Sequence, residues 1–179
     1  MLNKNDTGLI LIDIQGKLAR IVDESDVLIK QCQALIQGVQ SLDMPILWLE
    51  QNPEKLGETV EELHELLPNI KRIKKYMFDA CLEADFMRAI QESGCKSWLV
   101  AGIEAHICVY QTASHLKQIG YDVHLVIDCI SSRTQANKNL AIDKLTQQHV
   151  AITGVEMCLY ELVQDCRTRE FRTILKLIK

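Results

Sequence analysis

No apolar stretch in this chain is long enough to cross a bilayer, and the opening Met1-Leu2-Asn3-Lys4-Asn5-Asp6 lacks the apolar core of a secretion signal. Neither a membrane span nor export is expected. The seven cysteines are odd in number and contain no C-x-x-C pair, which argues against both a disulfide framework and a dithiol redox motif. A reducing, cytoplasmic setting follows as the expectation. Cys/His spacing of the kind that builds structural zinc sites is missing, and the formal net charge of -4 leaves no broad basic surface for nucleic acid or anionic membrane. There is no internal repeat, low-complexity tract or linker. What remains is one globular domain over residues 1–179, with 47% hydrophobic and 25% charged residues and enough chain to bury a continuous core.

The apolar pattern alternates between two periods. Gly8–Asp13, Pro45–Leu49, Ile70–Tyr76, Ser97–Ala101, Val123–Asp128 and Val150–Thr153 read as six short strands. Between them, Val27–Leu42, Glu58–Leu67, Glu83–Ser93, His106–Ile119 and Gln135–Gln148 read as helices, with Gln51–Gly57 as loop. From Val155 the chain reads as helix to its end, and Phe171, Ile174, Leu175 and Ile178 form an apolar stripe that docks on this domain or on a partner. Strands alternating with helices predict a three-layer α/β/α domain around a mainly parallel, Rossmann-like sheet. Ligands in such sheets bind beyond the carboxyl ends of the strands, where the strand order reverses.

Two side chains occupy that position. Asp13 ends the first strand, and Cys108 follows the fourth where a helix begins. Unpaired N–H groups at a helix start favour negative charge, so a thiol there is expected to lose its proton more readily than usual. A carboxylate and a thiol facing one crevice suit a base and a nucleophile. A third feature is the cluster Lys71, Arg72, Lys74 and Lys75. Charges of this kind protect an edge strand, yet one lysine turned inward would balance a thiolate and a carboxylate. The pattern does not choose between Lys74 and Lys75.

The segments Leu11-Ile12-Asp13-Ile14-Gln15, Lys75-Tyr76-Met77-Phe78, Ala101-Gly102-Ile103-Glu104-Ala105-His106-Ile107-Cys108-Val109, Gln111-Thr112-Ala113 and Val126-Ile127-Asp128-Cys129-Ile130-Ser131-Ser132-Arg133 together resemble the isochorismatase-like, or cysteine, hydrolases. The resemblance runs through nearly the whole chain in the right order and implies that family's fold. It implies a triad of Asp13, Lys75 and Cys108, with Lys75 preferred for its spacing to Phe78. It further implies a non-proline cis peptide at Ile103–Glu104 and an oxyanion hole from the Glu104 and Cys108 backbone N–H groups. Family members are often multimers, so a homo-oligomer (dimer, tetramer or larger) is expected.

Departures from the family pattern narrow the chemistry. Nicotinamidases in the group carry a metal site built on an Asp-x-His motif after the second strand, whereas this chain has Trp48-Leu49-Glu50-Gln51-Asn52-Pro53 there. No metal and no cofactor are expected. None of the five histidines stands at a metal-ligand spacing, and His106, two residues before Cys108, would point away from it on a helix. Retention of Cys108 favours hydrolysis of a small amide, ureido or related C–N bond over the vinyl-ether cleavage of isochorismatase itself. Gln15, Glu50, Gln51, Phe78 and Tyr110 are expected to line the pocket for a small-molecule substrate. A ligand-binding domain without turnover and a thiol redox sensor are the competing readings.

Overall fold

The computed structural model describes residues 1–179. Six strands, β1 (Thr7–Ile12), β2 (Ile46–Gln51), β3 (Arg72–Lys75), β4 (Ser97–Ile103), β5 (Asp122–Ser131) and β6 (Ala151–Thr153), form one all-parallel sheet in the order β3-β2-β1-β4-β5-β6. The central strand β1 is buried at every position, as a continuous apolar run covered on both faces requires. Its side chains alternate between two cores. Leu9 and Leu11 pack below the sheet with Leu35, Cys158 and Leu159, whereas Ile10 and Ile12 pack above it with Phe86, Val109 and Leu145.

Helices cover both faces, completing the expected three layers. They are α1 (Gly16–Ile21), α2 (Ser25–Ser41), α3 (Pro53–Leu56), α4 (Glu61–His64), α5 (Ala84–Ser93), α6 (Tyr110–Gln118), α7 (Gln135–Gln147), α8 (Val155–Val163) and α9 (Arg169–Leu177). The strands follow the sequence pattern closely. The lysine-bearing β3 is an edge strand.

The helices depart from the pattern in four places, the first being α1, which forms where no helix is expected. Helix α4 covers only part of the expected 58–67 segment, because Thr59 pairs with Gln15 in an antiparallel bridge and donates its N–H to Glu50 Oε1 at 2.7 Å. Residues committed to those bonds are extended and unavailable to a helix. The C-terminal helix is two helices. Gln164 adopts a left-handed φ of 58° that ends α8, and the Thr168 hydroxyl restarts the chain by accepting the Phe171 N–H at 3.1 Å. The region expected to be loop, 51–57, contains α3. The apolar stripe of α9 docks on its own domain, with Ile174 fully buried in the lower core and Ile178 packed against it. Phe171 meets the Tyr160 ring edge-on at 5.6 Å.

The sheet splits functionally between β1 and β4, where the strand order reverses. Gly102 sits in β4 with φ of 135°, and a Cβ there would collide with the Ile12 carbonyl oxygen of β1. Only glycine lets these two strands approach so closely at that level while their ends aim Asp13 and Cys108 at a common space. Replacement Gly102→Ala is expected to lower unfolding stability by at least about 2 kcal/mol, read as a lower urea midpoint at unchanged slope.

Candidate active site

Three strand ends assemble the site. Asp13 follows β1 with a left-handed φ of 54°, its N–H donating to the Leu49 carbonyl at 3.2 Å. Lys75 ends β3 and is completely buried, and its Nζ lies 2.7 Å from Asp13 Oδ2. The same ammonium donates to Gln51 Oε1 at 2.6 Å and to the Met77 carbonyl at 3.3 Å. Lys74 points the other way, to Glu54 on the surface at 3.4 Å, so strand alternation resolves which lysine turns inward.

Cys108 lies in a π-helical turn, Ala105–Val109, that follows β4 and runs directly into α6. The Ile103–Glu104 peptide bond leading into it is cis. The Glu104 N–H has no acceptor within the protein, and Cys108 belongs to the first helical turn, where N–H groups lack intrahelical partners. Asp13 and Cys108 open on a shared cavity of about 190 Å³. Gln15, Gln51, Phe78, Glu104 and Arg133 are also in its wall.

The electrostatics correct one sequence expectation. The Cys108 thiol is not more acidic than usual: burial pushes it up to about 12, the Asp13 charge adds to this, and Lys75 opposes it. Desolvation therefore outweighs the favourable helix start in the resting site. Burial also raises the Asp13 carboxyl above the ordinary carboxylate range, with the Lys75 charge and the Cys108 thiol pulling it back. Thiol and carboxyl thus sit as a protonated acid beside a strengthened base.

Of the five residues expected to line the pocket, Gln15, Gln51 and Phe78 do so. The two glutamines are already occupied. Gln15 Nε2 donates to the Gln51 and Gly57 carbonyls and its Oε1 accepts the Gln51 N–H, while Gln51 bridges Lys75 to the Tyr76 carbonyl. The other two lie elsewhere. Glu50 is fully buried, accepting from the Thr59 N–H and hydroxyl with Arg72 at 3.2 Å, so it clamps the 50–59 loop and does not face the cavity. Tyr110 accepts a hydrogen bond from Gln148 and lines a separate depression with Asp79 and His115. His106 is turned away from the thiol and contacts Ser132 Oγ at 3.0 Å.

The sequence reading missed Arg133. Its Nε donates to the buried Glu104 carboxylate at 2.6 Å, leaving the two terminal guanidinium nitrogens without protein partners beside the cavity. A lone arginine directly after the serines that close β5 is a signal that could have marked it.

A family model described as the isochorismatase domain matches residues 7–157. The chain belongs to the isochorismatase family. It is 32% identical over 175 residues to the secreted isochorismatase effector Isc1 of Phytophthora sojae, covering 96% of this chain and 83% of that protein. Among solved structures, the MAR1 ribonuclease of Caenorhabditis elegans superposes with a TM-score of 0.92 at 30% identity, covering 99% of this chain and 91% of that one. The YcaC gene product of Escherichia coli, described as an octameric hydrolase of unknown specificity, gives a TM-score of 0.93 at 24% identity, covering 99% and 88%. The fold is thus that of the family's hydrolases.

The opposing influences on the thiol give a signed expectation. Asp13→Asn removes the charge that adds to burial in holding the thiol protonated and leaves Lys75, so Cys108 should alkylate roughly severalfold faster with iodoacetamide at neutral pH. Lys75→Met should slow it. The pH dependence of labelling at Cys108, followed by peptide mass spectrometry, checks both signs.

Proposed function

We propose that this isochorismatase-family protein is a cysteine-dependent hydrolase of a small amide, ureido or related C–N substrate. The observation that carries the reading is the buried Asp13–Lys75 pair, held at 2.7 Å, on the cavity that Cys108 opens into. Isolated buried charges are costly, and this pair faces a nucleophile rather than a structural neighbour. The cavity is smaller than those that take drug-sized ligands, which favours a substrate of few heavy atoms.

In the proposed reaction the substrate carbonyl enters above the thiol. Asp13 accepts the Cys108 proton as Sγ bonds to the carbonyl carbon, so the thiolate need never stand free in the resting enzyme. The Glu104 and Cys108 N–H groups receive the oxyanion. The tetrahedral adduct collapses with C–N cleavage as Asp13 returns the proton to the leaving nitrogen. Water then gives its proton to Asp13 and attacks the thioester, releasing the acid and restoring the thiol. Lys75 keeps its charge throughout and offsets the negative charge that moves between carboxylate and sulfur.

Arg133 refines the substrate. With the glutamines engaged by backbone, its free terminal nitrogens are the cavity's available cationic donors and match a carboxylate or similar anionic substituent. A net charge of -4 over the whole chain fits a small anion held by one arginine better than a polyanion. Assembly as a homo-oligomer accords with the exposed Tyr76, Met77 and Phe78 beside the cavity, and the seven free cysteines accord with a reducing, cytoplasmic setting.

A panel of small amides, ureides and imides, with and without a carboxylate, tests the reading. Turnover should be confined to compounds with a cleavable C–N bond, and rapid quenching should trap an acyl adduct on Cys108 detectable as added mass. Cys108→Ala should eliminate the adduct and lower kcat by at least about 10³-fold. Hydrolysis that survives this replacement would refute the mechanism. Arg133→Ala should raise KM for carboxylate-bearing substrates far more than for neutral ones, because only the former lose a charged partner.

A further inference from the structure

The turn between β3 and α5 gathers a second set of reactive side chains that the mechanism does not use. Asp79, Cys81 and His115 bring a carboxylate oxygen, a thiol sulfur and an imidazole nitrogen within 4.8 Å of one another. Sequence spacing conceals the set, since His115 arrives from α6, 34 residues beyond Cys81. Asp79 Oδ1 accepts the Cys81 N–H at 2.9 Å and its Oδ2 lies 2.7 Å from His115 Nδ1. The Cys81 thiol donates to the Thr112 carbonyl at 3.8 Å.

The cluster is half-enclosed. Cys81 is buried against α6, whereas Asp79 and His115 remain partly exposed along a depression also lined by Gln111, Ser114 and Gln118. Solvent therefore reaches the cluster from the Asp79 and His115 side, and the donors are one oxygen, one sulfur and one nitrogen. Three protein ligands with a position left for water is the arrangement that tetrahedral zinc ions take outside closed structural sites. A thiolate beside an imidazole selects zinc or cobalt(II) over magnesium or calcium, which require all-oxygen surroundings.

We propose that Asp79, Cys81 and His115 form a binding site for a zinc-class divalent cation, distinct from the Cys108 site. Binding replaces the Asp79–His115 hydrogen bond with two metal bonds and releases the Cys81 proton to solvent. The thiolate and carboxylate then neutralise the ion's two charges within the half-buried pocket. The ion fastens the 76–82 turn to α6. That turn supplies the Met77 carbonyl that Lys75 binds and carries Phe78 in the cavity wall, and α6 continues from the turn that bears Cys108. Occupancy is therefore expected to stiffen the cavity from behind without touching a reacting atom.

Cobalt(II) titration of the metal-free full-length protein, followed by absorption spectroscopy, tests the site. One equivalent should bind with tetrahedral-type visible bands and a near-ultraviolet thiolate-to-cobalt transition, and zinc should displace it. Zinc should also raise Tm in a concentration-dependent manner. Cys81→Ser should remove the thiolate band while circular dichroism of the metal-free protein stays native. Should that variant fold poorly, His115→Gln leaves the thiol in place and is expected to weaken zinc binding by more than the roughly 10–100-fold that an outer-sphere partner is worth. Absence of stoichiometric binding, a thiolate band that persists in Cys81→Ser, or zinc affinity unmoved by His115→Gln would each overturn the proposal.

Discussion

Two opposite charges buried 2.7 Å apart, on Asp13 and Lys75, are the constraint around which this molecule is arranged. Neither group has meaningful access to solvent, so each would be strongly destabilising without the other. The lysine is satisfied by the carboxylate, by Gln51 and by the Met77 carbonyl. Those partners come from β1, β2 and the turn after β3, so the pair can exist only when three parallel strands end at the same level. The sheet is the device that makes a costly pair tolerable. Gln15, in the cavity wall, and Glu50, outside it, complete that device by tying the loop after β2 to the end of β1 and to Thr59.

The Asp13 carboxylate serves two neighbours, and its position between them explains the titration behaviour of the site. Toward Lys75 it is a counter-charge, and toward Cys108 it is a repulsive charge that adds to burial in keeping the thiol protonated. A free thiolate would be poorly solvated here and open to oxidation. In the proposed reaction, a protonated thiol beside a carboxylate of raised pKa keeps the nucleophile in an inert form until an electrophilic carbon is presented. This differs from activation by a helix start alone, in which the sulfur is ionised before any substrate arrives. The short π-helical entry into α6 positions the sulfur, and burial, reinforced by the carboxylate, keeps it protonated.

Much of the fold could be read from the chain because its signals are local. Runs such as Leu9–Ile12 and Trp98–Ala101 have the continuous apolar character of doubly covered strands, and Asp13 and Cys108 stand just past strand ends, where open α/β sheets place their ligands. What stayed hidden depends on contacts between segments remote in sequence. Glu50 looks like a loop carboxylate but is buried by Thr59 and Arg72. Tyr110 is adjacent to the turn that carries Cys108 in sequence, yet helical rotation carries its ring away to Lys144, 5.1 Å from the ring centre. The thiol's protonation was misjudged because desolvation is a property of the assembled core, and no local pattern reports it.

Arg133 illustrates how the two kinds of information combine. Its position after the β5 serines is visible in the sequence, but its significance lies in the division of its guanidinium between two tasks. The Nε edge neutralises Glu104, whose carboxylate would otherwise be a buried negative charge beside the proposed oxyanion site and would oppose the charge developing there. The remaining edge is left for a ligand. A lysine could balance Glu104 as a point charge, but it could not hold that carboxylate while presenting a second, rigidly oriented pair of donors. In the proposed reaction this geometry would couple the electrostatics of the reacting carbonyl to recognition of an anionic group beside it, and a substrate lacking that group would meet a cavity still carrying an unshared positive edge.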